Sequence, residues 1–246
     1  MTELLLINPN TTASITDLVL KTAARFAHRD TTLRAITGAF GPRYIASRVG
    51  YAIAGHAAVD ALANDRGRKD AVVLACFGDP GLAALKEVAK VPVVGMAEAS
   101  ILQACTLGSR FSIVTGGERW KPMLEEFIAS HALASRLASV RTVAPTGADI
   151  ARRPRKAIAL LAKSCRACVI EDRADVVILG GAGLAGLAAR LEDAVDVPLL
   201  DGVACAISMA EGLARQKPAK ARTGPLSPPA PVESTGLSPA LARLLA

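Results

Sequence analysis

The sequence predicts an α/β fold of two pseudo-symmetric lobes, each a mostly parallel sheet flanked by helices, with the active site in the cleft between them. Aliphatic runs of strand length at residues 3–7, 71–75, 91–95, 111–114, 176–179 and 197–200 alternate with longer stretches of helical periodicity, the order that builds parallel sheets. Of the 246 residues 51% are hydrophobic but only 3% aromatic, which suits strands buried under alanine-rich helices. The chain also repeats itself. Asp70-Ala-Val-Val-Leu-Ala-Cys76-Phe-Gly-Asp-Pro-Gly-Leu82 returns as Asp175-Val-Val-Ile-Leu-Gly-Gly181-Ala-Gly-Leu-Ala-Gly-Leu187, so Asp70 matches Asp175 and Cys76 matches Gly181. Val91-Pro-Val-Val-Gly-Met96 is echoed by Val197-Pro-Leu-Leu-Asp-Gly202, and 4–8 corresponds to 111–115.

Taken in order, residues 1–107 form the first lobe and 108–205 the second. A final helix at 206–216 is expected to pack on the first lobe. The proline-rich tail, 217–246, has the composition of a poorly ordered or surface-clinging segment. Residues 239–245 are apolar enough for a short helix docking on a neighbouring subunit of a homo-oligomer. The opening Met-Thr-Glu-Leu-Leu-Leu-Ile-Asn8 lacks the basic start and long apolar core of a secretory signal, and no apolar run approaches the ~20 residues that span a bilayer. A cytoplasmic protein without membrane partners is therefore expected, with its five cysteines reduced. The net charge of +7 is dispersed apart from clusters at 152–156 and 217–222, with no aromatic-lined basic stripe. Nucleic acid is excluded on that ground, and an anionic or ureide small molecule is the expected ligand.

Ligands of open parallel sheets bind beyond the carboxyl ends of strands, where the amides of following turns converge. Four unusual segments fall there: Asn8-Pro-Asn-Thr-Thr12, Cys76-Phe-Gly-Asp-Pro-Gly81, Thr115-Gly-Gly117 and Gly180-Gly-Ala-Gly183. Asp79 is expected to cap a helix beginning at Pro80, leaving the amides of Phe77 and Gly78 for a ligand. Cys76 would then feel the positive end of that helix, which favours a thiolate able to act as base or nucleophile; the alternative is a small buried hydrophobe. Asn8 offers an amide at a strand tip, with Asn10 or Thr11 capping the next helix. Thr115, Gly116 and Gly117 form the matching tip of the second lobe, and Gly181, Ala182 and Gly183 the loop facing Cys76. Phe40 closes an expected strand, after which Arg43 and Arg48 can grip a carboxylate or lie solvated. Cys165-Arg-Ala-Cys168 has redox or zinc spacing but no second ligand pair, so both sulfurs are read as core. His28, His56 and His131 are isolated from one another, and Glu98 is a first-turn residue. No phosphate loop is present, and no cofactor is expected.

These motifs resemble the aspartate/glutamate/hydantoin racemase superfamily, hydantoin and allantoin racemases in particular. The resemblance rests on Leu-Leu-Ile-Asn8-Pro-Asn-Thr-Thr, Ala75-Cys76-Phe-Gly-Asp-Pro-Gly-Leu82, Val91-Pro-Val-Val-Gly with Ala97-Glu98-Ala, and Leu179-Gly-Gly-Ala-Gly-Leu184. It implies a cofactor-independent enzyme acting on the carbon next to a carbonyl, with one cysteine removing a proton and a cysteine of the other lobe returning one to the opposite face. Cys76 matches the first cysteine, whereas Gly181 stands where the second would be. Two further possibilities stay open: a single-thiol decarboxylase or one-face protonation enzyme like the arylmalonate decarboxylases, and a binding protein that has lost turnover.

Overall fold

The computed structural model describes residues 1–143 and 154–246. Two wholly parallel four-stranded sheets share one strand order, β2-β1-β3-β4 and β6-β5-β7-β8. The first holds β1 (Thr2–Asn8), β2 (Thr31–Thr37), β3 (Ala71–Leu74) and β4 (Val93–Gly95). The second holds β5 (Phe111–Gly116), β6 (Leu137–Val143), β7 (Val176–Gly180) and β8 (Leu199–Asp201). The helices are α1 (Ala13–Phe26), α2 (Arg48–Asn64), α3 (Leu82–Val88), α4 (Met96–Leu107), α5 (Trp120–Ser130), α6 (Pro154–Ile170), α7 (Gly202–Gln216) and α8 (Pro239–Leu245).

No aliphatic run announces β2 or β6. Each is an edge strand, paired on one side only, and Thr31-Thr-Leu-Arg-Ala-Ile-Thr37 and Leu137-Ala-Ser-Val-Arg-Thr-Val143 carry the polar residues that a half-exposed strand tolerates. The repeated aspartates fasten matching strand starts. Asp70 Oδ2 accepts from the Glu3 amide at 2.9 Å, and Asp175 Oδ2 accepts from the amides of Ser109 and Arg110, both at 2.9 Å.

Strand periodicity then sorts the core. Leu4, Leu6, Val73, Phe111, Ile113, Val176 and Ile178 face one shared core between the sheets. Leu5, Ile7, Val72 and Leu74 pack outward with Leu82 and Leu85 of α3 and Ala58 and Ala61 of α2, while Val114, Val177 and Leu179 pack with Leu161, Cys165 and Cys168 of α6. Two helices in the shared core are exchanged. α4 leaves the first sheet and packs on β5, β7 and β8; α7 leaves the second and packs on β1, β3 and β4; the two lie against each other. α7 starts at Gly202, ahead of the expected 206.

The tail helix packs on its own chain. Ala240 and Leu241 of α8 pack on Ala63 and Val59 of α2, and the Ser238 hydroxyl donates to the Asp60 carboxylate. Among the described residues no helix is long and apolar enough to cross a membrane. The basic cluster at 152–156 lies with its side chains outside the described residues; that at 217–222 is largely exposed.

The lobes also exchange aromatic rings. Phe77, beyond β3, lies against Gly180, and Trp120 at the start of α5 lies against Gly78. A Cβ on Gly180 would come within 2.5 Å of the Phe77 ring. Gly180→Ala is therefore expected to destabilise the protein by about 1–3 kcal/mol through overpacking, read as a lower denaturation midpoint in guanidinium chloride.

Candidate active site

The tips of β1, β3, β5 and β7 converge on a cavity of about 50 Å³. The first lobe contributes Asn10, Ile15, Tyr44, Ile45, Cys76 and Phe77; the second contributes Thr115, Gly116, Trp120 and the run Gly180, Gly181, Ala182, Gly183 and Leu184. Of the residues expected from sequence, Cys76, Phe77, Thr115, Gly116, Gly181, Ala182 and Gly183 line it; Asn8, Phe40, Arg48, Gly78 and Gly117 do not.

Each exception has a structural reason. Asn8 is only 1% exposed, and its Nδ2 donates to Asn10 Oδ1 (3.0 Å), Thr16 Oγ1 (2.9 Å) and the Thr12 carbonyl (3.4 Å), so its amide is used up in shaping the loop. The outward contact passes to Asn10. Asn10 Oδ1 also accepts from the Thr12 amide at 2.8 Å, and neither Asn10 nor Thr11 is the N-cap of α1, which is Thr12 and makes no side-chain cap bond. β2 ends at Thr37, and Phe40 sits in the following loop, edge-on to His56. Arg48 does grip a carboxylate in bidentate fashion, but that carboxylate is Glu126 of the other lobe, at 2.6 and 2.5 Å on the exposed surface. Gly78 turns its carbonyl to the Tyr51 hydroxyl (2.7 Å) beneath Trp120, and Gly117 lies behind Gly116.

The sequence reading missed the groups that close the cavity. Trp120 Nε1 donates to the Ile45 carbonyl at 3.0 Å, and the Tyr44 hydroxyl donates to the Gly116 carbonyl at 3.2 Å, so the loop after β2 is tied across the lobe boundary. In a chain with one tryptophan and two tyrosines, rarity was the available signal.

Cys76 differs from its expected state. Helix α3 begins at Leu82, after Gly81, and not at Pro80. Asp79 does not cap it: with φ at +54° it turns its carboxylate to the start of α4, accepting from the amides of Ala97 (3.0 Å) and Glu98 (2.7 Å). Helix α3 therefore begins six residues beyond Cys76. Burial, and then the Asp79 charge, push the Cys76 thiol well above the ordinary range, so it rests protonated. Burial also pushes Asp79 up to about 7 against the pull of its two amide donors.

The equivalent helix start in the second lobe is held differently. Asp201, which matches Gly95 in the repeat, caps α7 itself through the amides of Val203 (2.9 Å) and Ala204 (3.3 Å) and accepts from Gly186 at 2.7 Å. A Cβ at Gly95 would meet the Asp79 carboxylate at 2.1 Å, so in the first lobe a side chain at this position and the Asp79 cap exclude each other.

Gly181 has φ at +137°, a conformation costly for other residues, yet a Cβ there would meet nothing closer than 3.7 Å. No other cysteine reaches the cavity. Cys205 is buried, its thiol pushed up to about 12 chiefly by desolvation, and Cys165 and Cys168 lie in the outer core. No charged side chain is among the described residues lining the cavity, and no cluster of three or more His, Cys, Asp or Glu able to hold a metal occurs among the described residues.

Two half-symmetric α/β lobes closing their strand tips on a thiol-bearing cavity define a racemase-type isomerase. Residues 4–210 match the family model described as Asp/Glu/Hydantoin racemase. The chain is 37% identical over 206 residues to a hydantoin racemase of Pseudomonas sp. (strain NS671), covering 83% of each chain. It superimposes on the crystal structure of allantoin racemase from Pseudomonas fluorescens with a TM-score of 0.92 at 31% identity, covering 96% of this chain and 100% of that one. Allantoin racemase from Klebsiella pneumoniae gives 0.93 at 28% identity, covering 98% and 99%. The chain belongs to the Asp/Glu/hydantoin racemase family.

Asp79 makes stability depend on pH. Its carboxyl holds a proton more tightly when folded than when unfolded, so the unfolded chain ionises first and stability falls as pH rises from about 4 to about 7, then levels. Asp79→Asn removes this slope. Melting temperatures of the two proteins between pH 4 and 8 should show the wild type losing ground to the variant across that window.

Proposed function

We propose that this racemase acts on the carbon next to a carbonyl in a small neutral ureide ring of the hydantoin type, without a cofactor, and that Cys76 is its acting thiol. The observation that carries this is the lining of the cavity: one buried thiol, backbone-rich glycine loops and no charged side chain among the described residues. A carboxylate or zwitterion placed there would lose its hydration without gaining a counter-charge, whereas a ring of N–H and C=O groups needs only hydrogen bonds. Of the anionic or ureide ligand expected from sequence, the anionic alternative is thus disfavoured, and with it the decarboxylase reading, whose substrate is a dicarboxylate. Relatives named hydantoin racemase and allantoin racemase support the same class.

Asn10 Nδ2, which has no partner among the described residues while Oδ1 is taken by Asn8 and Thr12, is placed to donate to a ring carbonyl. A resting thiol gives Cys76 the proton it delivers to the planar enolate; the thiolate it becomes takes the proton back when the reaction runs the other way.

Cys76→Ala should lower racemisation of a 5-alkyl hydantoin by on the order of 10²–10⁴-fold, followed by chiral chromatography and by deuterium uptake in heavy water. The free amino acid carrying the same side chain should be turned over far more slowly by the wild type. Racemisation that survives the loss of the sulfur would remove Cys76 from the mechanism, and equal use of the amino acid would remove the neutral-ring assignment.

A further inference from the structure

Cys76 reaches one face of a planar enolate, and Gly181 has no proton to give to the other. We propose that Thr115 holds a water molecule in the space Gly181 leaves open and that this water serves the substrate face opposite Cys76. The proposal rests on the racemase function of Cys76 given above.

Thr115, the last residue but one of β5, lies beside Gly181 and is only 4% exposed. Its Oγ1 would lie 3.7 Å from a Cβ on Gly181, next to the place a second thiol would occupy. The hydroxyl has no hydrogen-bond partner among the described residues. Because no fully enclosed side-chain polar atom among the described residues lacks a partner, this hydroxyl is open to the cavity that Thr115 lines. A trapped water needs two to four polar neighbours. Thr115 Oγ1 supplies one, and the amides of Ala182 and Gly183, which lead a short turn and meet no acceptor among the described residues, supply others.

The proton balance closes. For one enantiomer the Cys76 thiolate takes the hydrogen from the α carbon, and the C–H electron pair moves toward the carbonyl oxygen. The water then donates a proton to the opposite face of that carbon and becomes hydroxide, held by Thr115. Cys76 returns its proton to solvent and the hydroxide takes one up. For the other enantiomer the hydroxide removes the hydrogen and the Cys76 thiol delivers one. The active pair holds one proton fewer than thiol plus water, so inversion accelerates with rising pH.

Thr115 is thus a positioning residue, acting through water, and its removal separates two events that a shared structural role would move together. Each enantiomer of a 5-alkyl hydantoin is incubated in heavy water with wild type, Thr115→Val, Thr115→Ala, Thr115→Ser and Cys76→Ala, and both inversion and deuterium uptake are followed. The valine and alanine variants should lose inversion by on the order of 10²-fold. They should keep deuterium uptake, with retained configuration, in the enantiomer that presents its hydrogen to Cys76. Serine should restore inversion. Unchanged inversion in both the valine and alanine variants overturns the proposal, as does an equal loss of inversion and uptake. Insensitivity of both events to Cys76→Ala is a separate signature, which brings down the thiol mechanism itself, and a wild type that shows neither event brings down both.

Discussion

Everything at the cavity depends on the exchange of α4 and α7. Each half of the chain ends in a helix that would cover its own sheet in an ordinary open α/β unit, and here each is laid on the other half's sheet instead. The inner faces of both sheets, with Leu4, Leu6, Phe111, Ile113, Val176 and Ile178, thereby become a single core that neither half can complete alone. Strand tips that would otherwise belong to two hinged units are held within reach of one small ligand.

The exchange also explains the use of two buried carboxylates. An exchanged helix begins at the floor of the cleft, where its first amides have no solvent to bond. The second lobe satisfies them from the residue just before the helix, Asp201; the first lobe satisfies them from the loop after Cys76, through Asp79. Departure from symmetry in the caps therefore accompanies departure from symmetry in the thiols. The half that carries the thiol has its loop pinned to α4, with a carboxylate close enough to oppose ionisation of the sulfur. The half that carries Gly181 has no such pin at Leu184, and its loop forms a short turn whose leading amides meet no acceptor among the described residues.

Most of the architecture could be read from residues whose surroundings are uniform. Buried central strands such as Ala71–Leu74 and Val176–Gly180 see apolar neighbours on both faces, so their sequences are continuous aliphatic runs. Strands β2 and β6 are half-exposed and carry polar residues, so no continuous aliphatic run marks them; β2 was anticipated only through its end, placed at Phe40 and found at Thr37, and β6 was overlooked. At the site, Cys76, Thr115 and the glycine loop stood out because unusual residues at strand ends have few structural explanations. Asn8 misled because an asparagine at a strand tip looks the same in sequence whether its amide faces a ligand or knits its own loop. Tyr44, Ile45 and Trp120 were hidden because their role comes from crossing between lobes, a relation over 70 residues of sequence or more that no local pattern records. Asp79 was assigned the right kind of bond to the wrong helix, since a capping side chain in sequence does not say which helix start lies nearest in space.

The interlocked rings of Phe77 and Trp120 bear on how anything enters or leaves. Phe77 reaches from the first lobe onto Gly180 and Trp120 reaches from the second onto Gly78, each resting where a glycine leaves room. Spreading the lobes at that point withdraws both rings together and breaks the Trp120–Ile45 and Tyr44–Gly116 bonds in the same movement. The two rings and the two hydrogen bonds thus form one clasp across the lobe boundary, whose parts cannot be parted one at a time.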